Sequence, residues 1–177
     1  DTPNDSLFSG NVVLFYTKIS QLLHELTSQI TSSGYVYKID SDLRPEGKSG
    51  RMVNSIKSYE DYYKTRARTW EQQAMVRARF IAGNQQTGEN FINMVNRFTY
   101  RPKLEYESII EISRSREKIE KDLAGEATKG KNIKLGYGGL ADIEFSVQIL
   151  QMTHGGKNSR LRETNTLCAL DKLDALG

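Results

Sequence analysis

Residues 35–50 read YVYKIDSDLRPEGKSG, an aromatic and β-branched run that leads into a charged loop rich in glycine. Residues 35–40 predict a short β-strand, because such side chains suit a pleated surface. The proline and glycines that follow predict a loop, and a second short strand is predicted at residues 52–55. Two strands alone leave the backbone N–H and C=O groups at their outer edges without hydrogen-bond partners, so the sequence predicts a remnant of a larger sheet.

Two carboxylates mark the end of the first predicted strand. Asp40 and Asp42 lie two residues apart, so both side chains are expected on one face, and such oxygen ligands can hold Mg²⁺ together with substrate phosphates. The loop adds Arg44, Ser49 and Gly50, whose guanidinium and backbone N–H groups suit phosphate oxygens. The same spacing also fits an acidic strand end with solvated charges and an ordinary glycine turn, and the spacing alone favours this plainer interpretation.

Helical periodicity dominates the remaining sequence. An amphipathic helix is predicted first, and a series of helices follows the glycine-rich loop. The predicted helices cover residues 7–31, 58–82 with a break near Thr69, 87–98, 106–123, about 140–150 after the glycine-rich residues 135–139, and 162–176. The sequence therefore predicts an α+β protein that is predominantly α, in which residues 1–57 hold the sheet remnant and residues 58–177 form a helical bundle.

The helix that follows residues 135–139 has a clear apolar stripe along one face. The stripe consists of Leu140, Ile143, Val147 and Leu150, and the opposite face carries Glu144, Gln148 and Gln151. Asp142 is predicted to cap the start of this helix, where a carboxylate suits the helix dipole. For Glu144, a structural hydrogen-bond network and a position facing a cleft stay open as alternatives.

Two arginines and a tryptophan stand out in residues 58–82. On one continuous helix, Arg77 and Arg79 diverge by about 200°. One arginine is therefore expected to face a ligand cleft while the other ties helices together. Trp70 is expected in the core, because its large apolar ring favours burial.

The composition excludes several classes of protein. Of the 177 residues, 37% are hydrophobic and 27% charged, which is typical of a globular domain. The net charge of +3, with acids interleaved among the bases, favours a nucleotide or phosphate ligand over nucleic acid. No apolar run is long enough for a membrane span. The single cysteine, Cys168, cannot form an internal disulfide, so a cytoplasmic location is expected.

Three longer motifs resemble those of one enzyme family, the glutamine synthetase adenylyltransferases. Residues 35–50 resemble the family pattern V-D-x-R-L-R-P-x-G-x-S-G. Residues 69–79, TWEQQAMVRAR, are similar to T-W-E-x-Q-A-L-V-R-A-R, and residues 132–148, NIKLGYGGLADIEFSVQ, are similar to N-I-K-L-G-x-G-G-I-x-D-I-E-F-x-V-Q. The motifs occur in the family's order, which identifies the chain as a member of that family.

The resemblance implies a nucleotidyltransferase fold of the polymerase-β type, with residues 1–57 as its C-terminal part. Asp40 matches the family's third aspartate, which implies that it binds Mg²⁺ or Mn²⁺ and accepts the proton from an attacking oxygen. The family's Gly-Gly turn and paired aspartates are expected before residue 1. Asp42 stands where the family has arginine. Two interpretations therefore stay open for Asp42: a metal ligand, or a solvated side chain with no direct role.

The implied activity is transfer of AMP from ATP to a tyrosine hydroxyl of glutamine synthetase, or phosphorolytic removal of that AMP with release of ADP. In this interpretation Arg44, Ser49, Gly50, Arg77 and Arg79 bind nucleotide phosphates. The resemblance leaves the direction of the reaction open. This chain alone is expected to be inactive, because the paired aspartates are not in it.

Two other functions stay open on the same residues. The helical bundle is also suited to be a docking or regulatory module that binds glutamine synthetase or a PII signal protein. A related uridylyl-transferring enzyme acting on PII is the third alternative, although residues 69–79 and 142–148 favour the adenylyltransferases.

Overall fold

The computed structural model describes residues 5–124 and 132–176, and within them the chain is mostly helical. The helices are α1 (Asp5–Ser28), α2 (Ile56–Thr65), α3 (Thr69–Ala74), α4 (Gln85–Thr99), α5 (Tyr106–Ala124), α6 (Leu140–His154) and α7 (Thr166–Asp174). Short 3₁₀ turns occur at Gly47–Ser49, Met75–Arg77 and Ser159–Leu161. The prediction of a predominantly α protein is confirmed.

Neither predicted strand is present among the described residues. The backbone N–H groups of Val36 and Tyr37 donate to the Thr27 carbonyl, at 3.2 and 2.9 Å, so this segment folds back on the last turn of α1. The nearest approach to strand pairing is the isolated bridge between Thr31 and Gly34. A strand needs a neighbour to accept its ladder hydrogen bonds, and no described segment supplies one. The predicted sheet remnant is therefore not shown.

The chain divides into two compact units, Asp1–Thr65 and Arg66–Gly177. The predicted domains, residues 1–57 as part of a nucleotidyltransferase domain and residues 58–177 as a helical bundle, stay a prediction. In the first unit α1 has the predicted helical form, but its large apolar side chains between residues 12 and 26 are exposed; Phe15, for example, is 59% exposed. In the described part of the chain, no helix combines the length and the apolar character needed to cross a membrane.

The core of the second unit lies where α5 and α6 meet the turn that follows α3. It includes the buried side chains Val76, Leu104, Ile112 and Met152, with Ile109, Phe145 and Ile149 packed against them. Ile112 and Ile109 lie three residues apart on α5 and so share one face of that helix. Thr69 ties α3 to α5, because its hydroxyl donates to the Glu111 carboxylate at 2.6 Å.

The apolar stripe of α6 is mostly exposed. Leu140, Ile143 and Leu150 are 55%, 46% and 43% exposed. Val147 of the same stripe is buried, and Gln148 and Gln151 of the opposite face are also buried, at 9% and 2% exposure. The helix therefore turns part of its polar face inward.

Buried carboxamides explain this orientation. The Gln151 amide donates to the carbonyls of Leu161 and Glu163, both at 2.7 Å, and the Gln73 amide donates to the Gln148 side-chain carbonyl at 2.8 Å. Carbonyl groups outside helices need donors when they are buried. Gln151 supplies donors to the segment before α7, and the bond between the Gln73 and Gln148 side chains connects α6 to α3.

Candidate functional site

The two carboxylates at residues 40 and 42 lie in an exposed turn with different partners. The Asp40 carboxylate accepts the backbone N–H of Asp42 at 2.9 Å. The Asp42 carboxylate lies 3.3 Å from the Lys48 ammonium and 4.0 Å from the Arg44 guanidinium. Two cations therefore balance Asp42, whereas Asp40 makes no ion pair with any described residue. Asp40 suits a cation as one ligand better than Asp42 does.

Arg44 organises the loop that follows. Its side chain is only 12% exposed, and its guanidinium donates to the backbone carbonyls of Ser41 (2.6 Å), Lys48 (3.2 Å) and Gly50 (3.3 Å). Nearby, burial raises the pKa of Tyr59 above its usual value, and the charge of Arg44 opposes that rise. The arginine predicted to bind phosphate thus directs its donors at its own loop.

Gly50 closes the same loop at a point with no room for a side chain. A Cβ there would lie 1.9 Å from the Pro45 carbonyl oxygen, and the Gly50 N–H donates to Gly47 at 3.1 Å. The predicted phosphate donor of Gly50 is therefore engaged within the loop. Ser49, in contrast, is exposed and its hydroxyl has no described partner.

Among the described residues, no group of three or more histidine, cysteine, aspartate or glutamate side chains is arranged to hold a metal ion. The described part of the first unit thus offers Asp40 as one oxygen ligand. A complete set of about six oxygen ligands for Mg²⁺ needs water, substrate phosphate or further side chains as well.

Arg77 and Arg79 line one cavity in the second unit. The cavity measures about 350 Å³, and Thr164 and Asn165 complete its lining. Arg77 ends the 3₁₀ turn Met75–Arg77, and Ala78 is extended, so the two arginines do not share one helix. The expectation that only one of them faces a cleft is wrong, because the helix ends before the second.

The two arginines differ in their partners. The Arg77 guanidinium donates to the Thr166 hydroxyl at 2.5 Å and lies 2.9 Å from the Glu144 carboxylate. Arg79 is exposed and makes no hydrogen bond or ion pair with a described residue. Glu144 therefore orients Arg77 by an ion pair at the protein surface, where it is 47% exposed. Arg79 keeps its donors available.

A second cavity, of about 550 Å³, adjoins the first and shares Arg79 and Thr164 with it. Phe80, Ile92 and Tyr100 give it apolar and aromatic walls. Burial raises the pKa of the Tyr100 phenol to about 12, with Arg162 lowering it and Glu163 raising it by smaller amounts. The phenol is therefore neutral at physiological pH.

The sequence did not single out the residues that complete the smaller cavity, Thr164 and Asn165. Asn165 caps α7, because its side-chain oxygen accepts from the N–H groups of Leu167 and Cys168 at 3.0 and 3.1 Å. An asparagine immediately before an apolar run is a recognisable helix start, which is the signal that could have found it.

Trp70, predicted in the core, is 45% exposed.

The glycine-rich segment before α6 has a structural role. The Gly138 N–H donates to the Asp142 carboxylate at 2.6 Å, and the same carboxylate lies 2.7 Å from the Arg116 guanidinium. Arg116 in turn donates to the Leu135 carbonyl at 2.9 Å. Asp142 lies in the first turn of α6, where its charge suits the helix dipole, and its carboxylate engages the Gly138 N–H.

Comparisons with known proteins agree with the motifs. Residues 4–94 match the family model for glutamate-ammonia ligase adenylyltransferase, and residues 110–177 match that for GlnD PII-uridylyltransferase. Three relatives are each described as a bifunctional glutamine synthetase adenylyltransferase/adenylyl-removing enzyme. The one from Hahella chejuensis is 35% identical over 92% of this chain and 17% of its own length. For Methylococcus capsulatus the identity is 38% over 92% and 17%, and for Streptomyces avermitilis it is 42% over 84% and 15%.

The chain thus spans about a sixth of the length of these relatives. The matched region includes the loop around Asp40 and the segment that carries Arg77 and Arg79. The chain belongs to the glutamate-ammonia ligase adenylyltransferase family.

Proposed function

We propose that this chain is part of an enzyme that transfers AMP to or from a tyrosine of glutamine synthetase, with ATP as donor or with phosphate as acceptor and ADP as product. The observation that supports this most directly is the loop that follows Asp40. It keeps the family's sequence pattern except at Asp42, and the largely buried guanidinium of Arg44 holds its shape through three backbone carbonyls.

Asp40 is the proposed metal ligand and proton acceptor of this loop. Its carboxylate is exposed, and the Asp42 N–H orients it at 2.9 Å. When bound, Mg²⁺ or Mn²⁺ would neutralise charge on the phosphate oxygens during an in-line displacement. The ion pair of Asp42 with Lys48 favours a role for Asp42 in the charge balance of the loop.

The phosphate contacts proposed from the sequence fall into two kinds. Arg44 and Gly50 shape the loop, so their effect on a phosphate is indirect, while the exposed Ser49 hydroxyl is free to donate. Arg79 has an unengaged guanidinium, and Arg77 is oriented by Glu144 and Thr166. Guanidinium groups bind phosphate through paired N–H donors. The arginine pair is therefore the stronger phosphate site on this chain.

Two observations favour other candidate functions. The exposed side chains of Leu140, Ile143 and Leu150 on α6 favour a docking role toward glutamine synthetase or a PII protein, since apolar stripes of this kind serve as contact surfaces. The match of residues 110–177 to the PII-uridylyltransferase model favours a uridylyl-transferring relative. Binding of ATP in preference to UTP would support adenylyl transfer.

The direct test is Asp40→Asn in a full-length family enzyme that carries this segment, with Asp42→Asn as the matched control. Removal of a metal ligand is expected to lower AMP transfer and phosphorolysis at least ~100-fold, while Asp42→Asn keeps most of the activity. Far-UV circular dichroism should be unchanged, because both side chains are exposed. Full activity of Asp40→Asn would exclude the metal role, and we expect the 177-residue chain alone to be inactive.

A further inference from the structure

The two adjoining cavities of the second unit together have the size of a small-molecule site. They measure about 550 and 350 Å³ and share Arg79 and Thr164. Sites for small ligands and cofactors typically occupy ~300–1,000 Å³, with apolar walls and a few polar groups that converge on the ligand. The residues that line these cavities likewise include apolar side chains that form walls and a few polar side chains.

Phe80 forms a flat wall of the larger cavity. A Cβ atom on Gly88 would lie 2.3 Å from the Phe80 ring, so the ring rests directly on the backbone of α4 where glycine leaves room for it. The side chain is still 41% exposed. One part of the ring is thus supported by the helix, and the rest is available to a ligand. Aromatic rings stack well on such fixed platforms.

Polar groups without protein partners line the same cavity. The side chains of Asn93 and Asn96 make no hydrogen bond with a described residue, and neither does the Tyr100 hydroxyl. The phenol keeps its proton, since burial raises its pKa to about 12. Carboxamides and a neutral phenol are donors and acceptors for the heteroatoms of a planar ring.

The two cavities differ in charge. The smaller one is lined by Arg77 and Arg79 with two neutral polar residues, whereas the larger one has the Glu89 carboxylate as well as Arg79 and Arg162 on its walls. An anion is therefore favoured most in the smaller cavity, whose lining has no carboxylate. Arg79 lines both cavities and marks the point at which the two parts of a ligand would join.

We propose that the joined cavities bind a phosphate ester whose organic part is a planar ring, with the phosphate at Arg77 and Arg79 and the ring against Phe80. This inference rests on the proposed function only for the phosphate role of the two arginines; the ring subsite is additional. Two sources share this chemistry, a nucleotide and a phosphorylated tyrosine side chain. The cavities lie within residues 66–177 and do not require Asp40.

The test is isothermal titration of the 177-residue chain, at low ionic strength, with inorganic phosphate, AMP and phosphotyrosine. We expect at least one of the two esters to bind ~10-fold or more tightly than phosphate, because stacking and ring hydrogen bonds add to the phosphate contact. Tighter binding of AMP would identify a nucleotide site, and tighter binding of phosphotyrosine an aryl phosphate site.

Two variants separate the parts of the site, each with a matched control. Phe80→Ala should weaken the ester ~5- to 20-fold and leave phosphate unchanged, while the neighbouring exposed Ile81→Ala changes neither. Arg79→Ala should weaken ester and phosphate alike by about 10-fold, while Arg114→Ala on the surface of α5 changes neither. Asn93→Ala provides a second ring-side variant should Phe80→Ala alter the far-UV spectrum.

Each unfavourable result has its own meaning. If both esters bind no more tightly than phosphate, or if Phe80→Ala and Asn93→Ala leave ester affinity unchanged, the ring subsite is refuted and the phosphate role stands. If none of the three ligands binds, both this site and the phosphate role of Arg77 and Arg79 are overturned. Activity of the full-length Asp40 variants tests the metal role separately.

Discussion

Replacement of Gln151 by methionine tests whether buried carboxamides hold the second unit together. Gln151 is 2% exposed, and its amide donates to the carbonyls of Leu161 and Glu163, both at 2.7 Å. Methionine fills nearly the same volume but has no donor, so both carbonyls lose their partner. A buried unsatisfied carbonyl costs roughly 1–3 kcal/mol. The second bond is only partly buried, so we expect the free energy of unfolding to fall by about 2–4 kcal/mol.

The assay is urea unfolding followed by the fluorescence of Trp70, the single tryptophan of the chain, which lies in the same unit. The control is Gln86→Met on the exposed face of α4, whose amide donates to Asn90 at 3.1 Å. A surface change of this kind should alter stability by less than about 0.5 kcal/mol. If Gln151→Met costs no more than the control, the carboxamide explanation for the orientation of α6 is refuted.

The Gln151→Met variant also tests the cavity lined by Arg77 and Arg79. The carbonyls that Gln151 holds belong to residues 161 and 163, directly before Thr164 and Asn165 of the arginine-lined cavity. Loosening this segment should weaken phosphate binding as well as stability. Calorimetric titration of folded Gln151→Met protein with phosphate is the measurement.

Three further predictions concern single side chains. Ile112→Ala, at a fully buried core position, should lower the free energy of unfolding by about 2–5 kcal/mol in urea titrations. Tyr100→Phe should remove the phenol that ionises near pH 12, seen as the loss of that step in an ultraviolet titration. Because the pKa of folded Tyr100 exceeds the usual 10, its contribution to stability is complete below pH 10 and lost as the pH rises toward 12. Glu144→Gln removes the carboxylate 2.9 Å from Arg77 and should tighten phosphate binding ~2- to 5-fold at low salt, an effect that should shrink as salt is added.

The extents of several helices could be predicted from local sequence. The periodic residues 106–123 became α5, Tyr106–Ala124, and residues 87–98 fall within α4, Gln85–Thr99. The break predicted near Thr69 is also present. Glu71 explains it, because its carboxylate accepts the Arg68 N–H at 2.8 Å and so begins α3. Such signals act over three or four residues and can be recognised without knowledge of the tertiary structure.

The packing of α6 could not be predicted in the same way. Its apolar stripe is mostly exposed, while the polar partners needed inside come from Gln148, which accepts from the Gln73 amide, and from Gln151, which donates to the Leu161 carbonyl. The need arises from carbonyls and amides elsewhere in the chain, at Gln73 and at residues 161 and 163. A hydrophobic pattern contains no information on which distant carbonyls require a donor.

The candidate site also combines features that the sequence predicts with features that only the structure shows. Asp40 and Arg44 could be identified from motifs, yet only the structure showed that Arg44 directs its donors at its own loop. On one continuous helix, Arg77 and Arg79 would lie on nearly opposite sides. Their shared cavity exists because the helix ends at Ala74 and Thr164 approaches from a distant part of the chain.

The sequence by itself determined the family, the predominantly helical class and the order of the helices, because these depend on motifs and on contacts a few residues apart. The tertiary structure alone decided which face of α6 is buried, whether residues 35–40 pair as a strand and which arginine keeps its donors available. Each of those outcomes depends on hydrogen-bond partners nine or more residues away in the sequence, and only the folded chain brings them within about 3 Å.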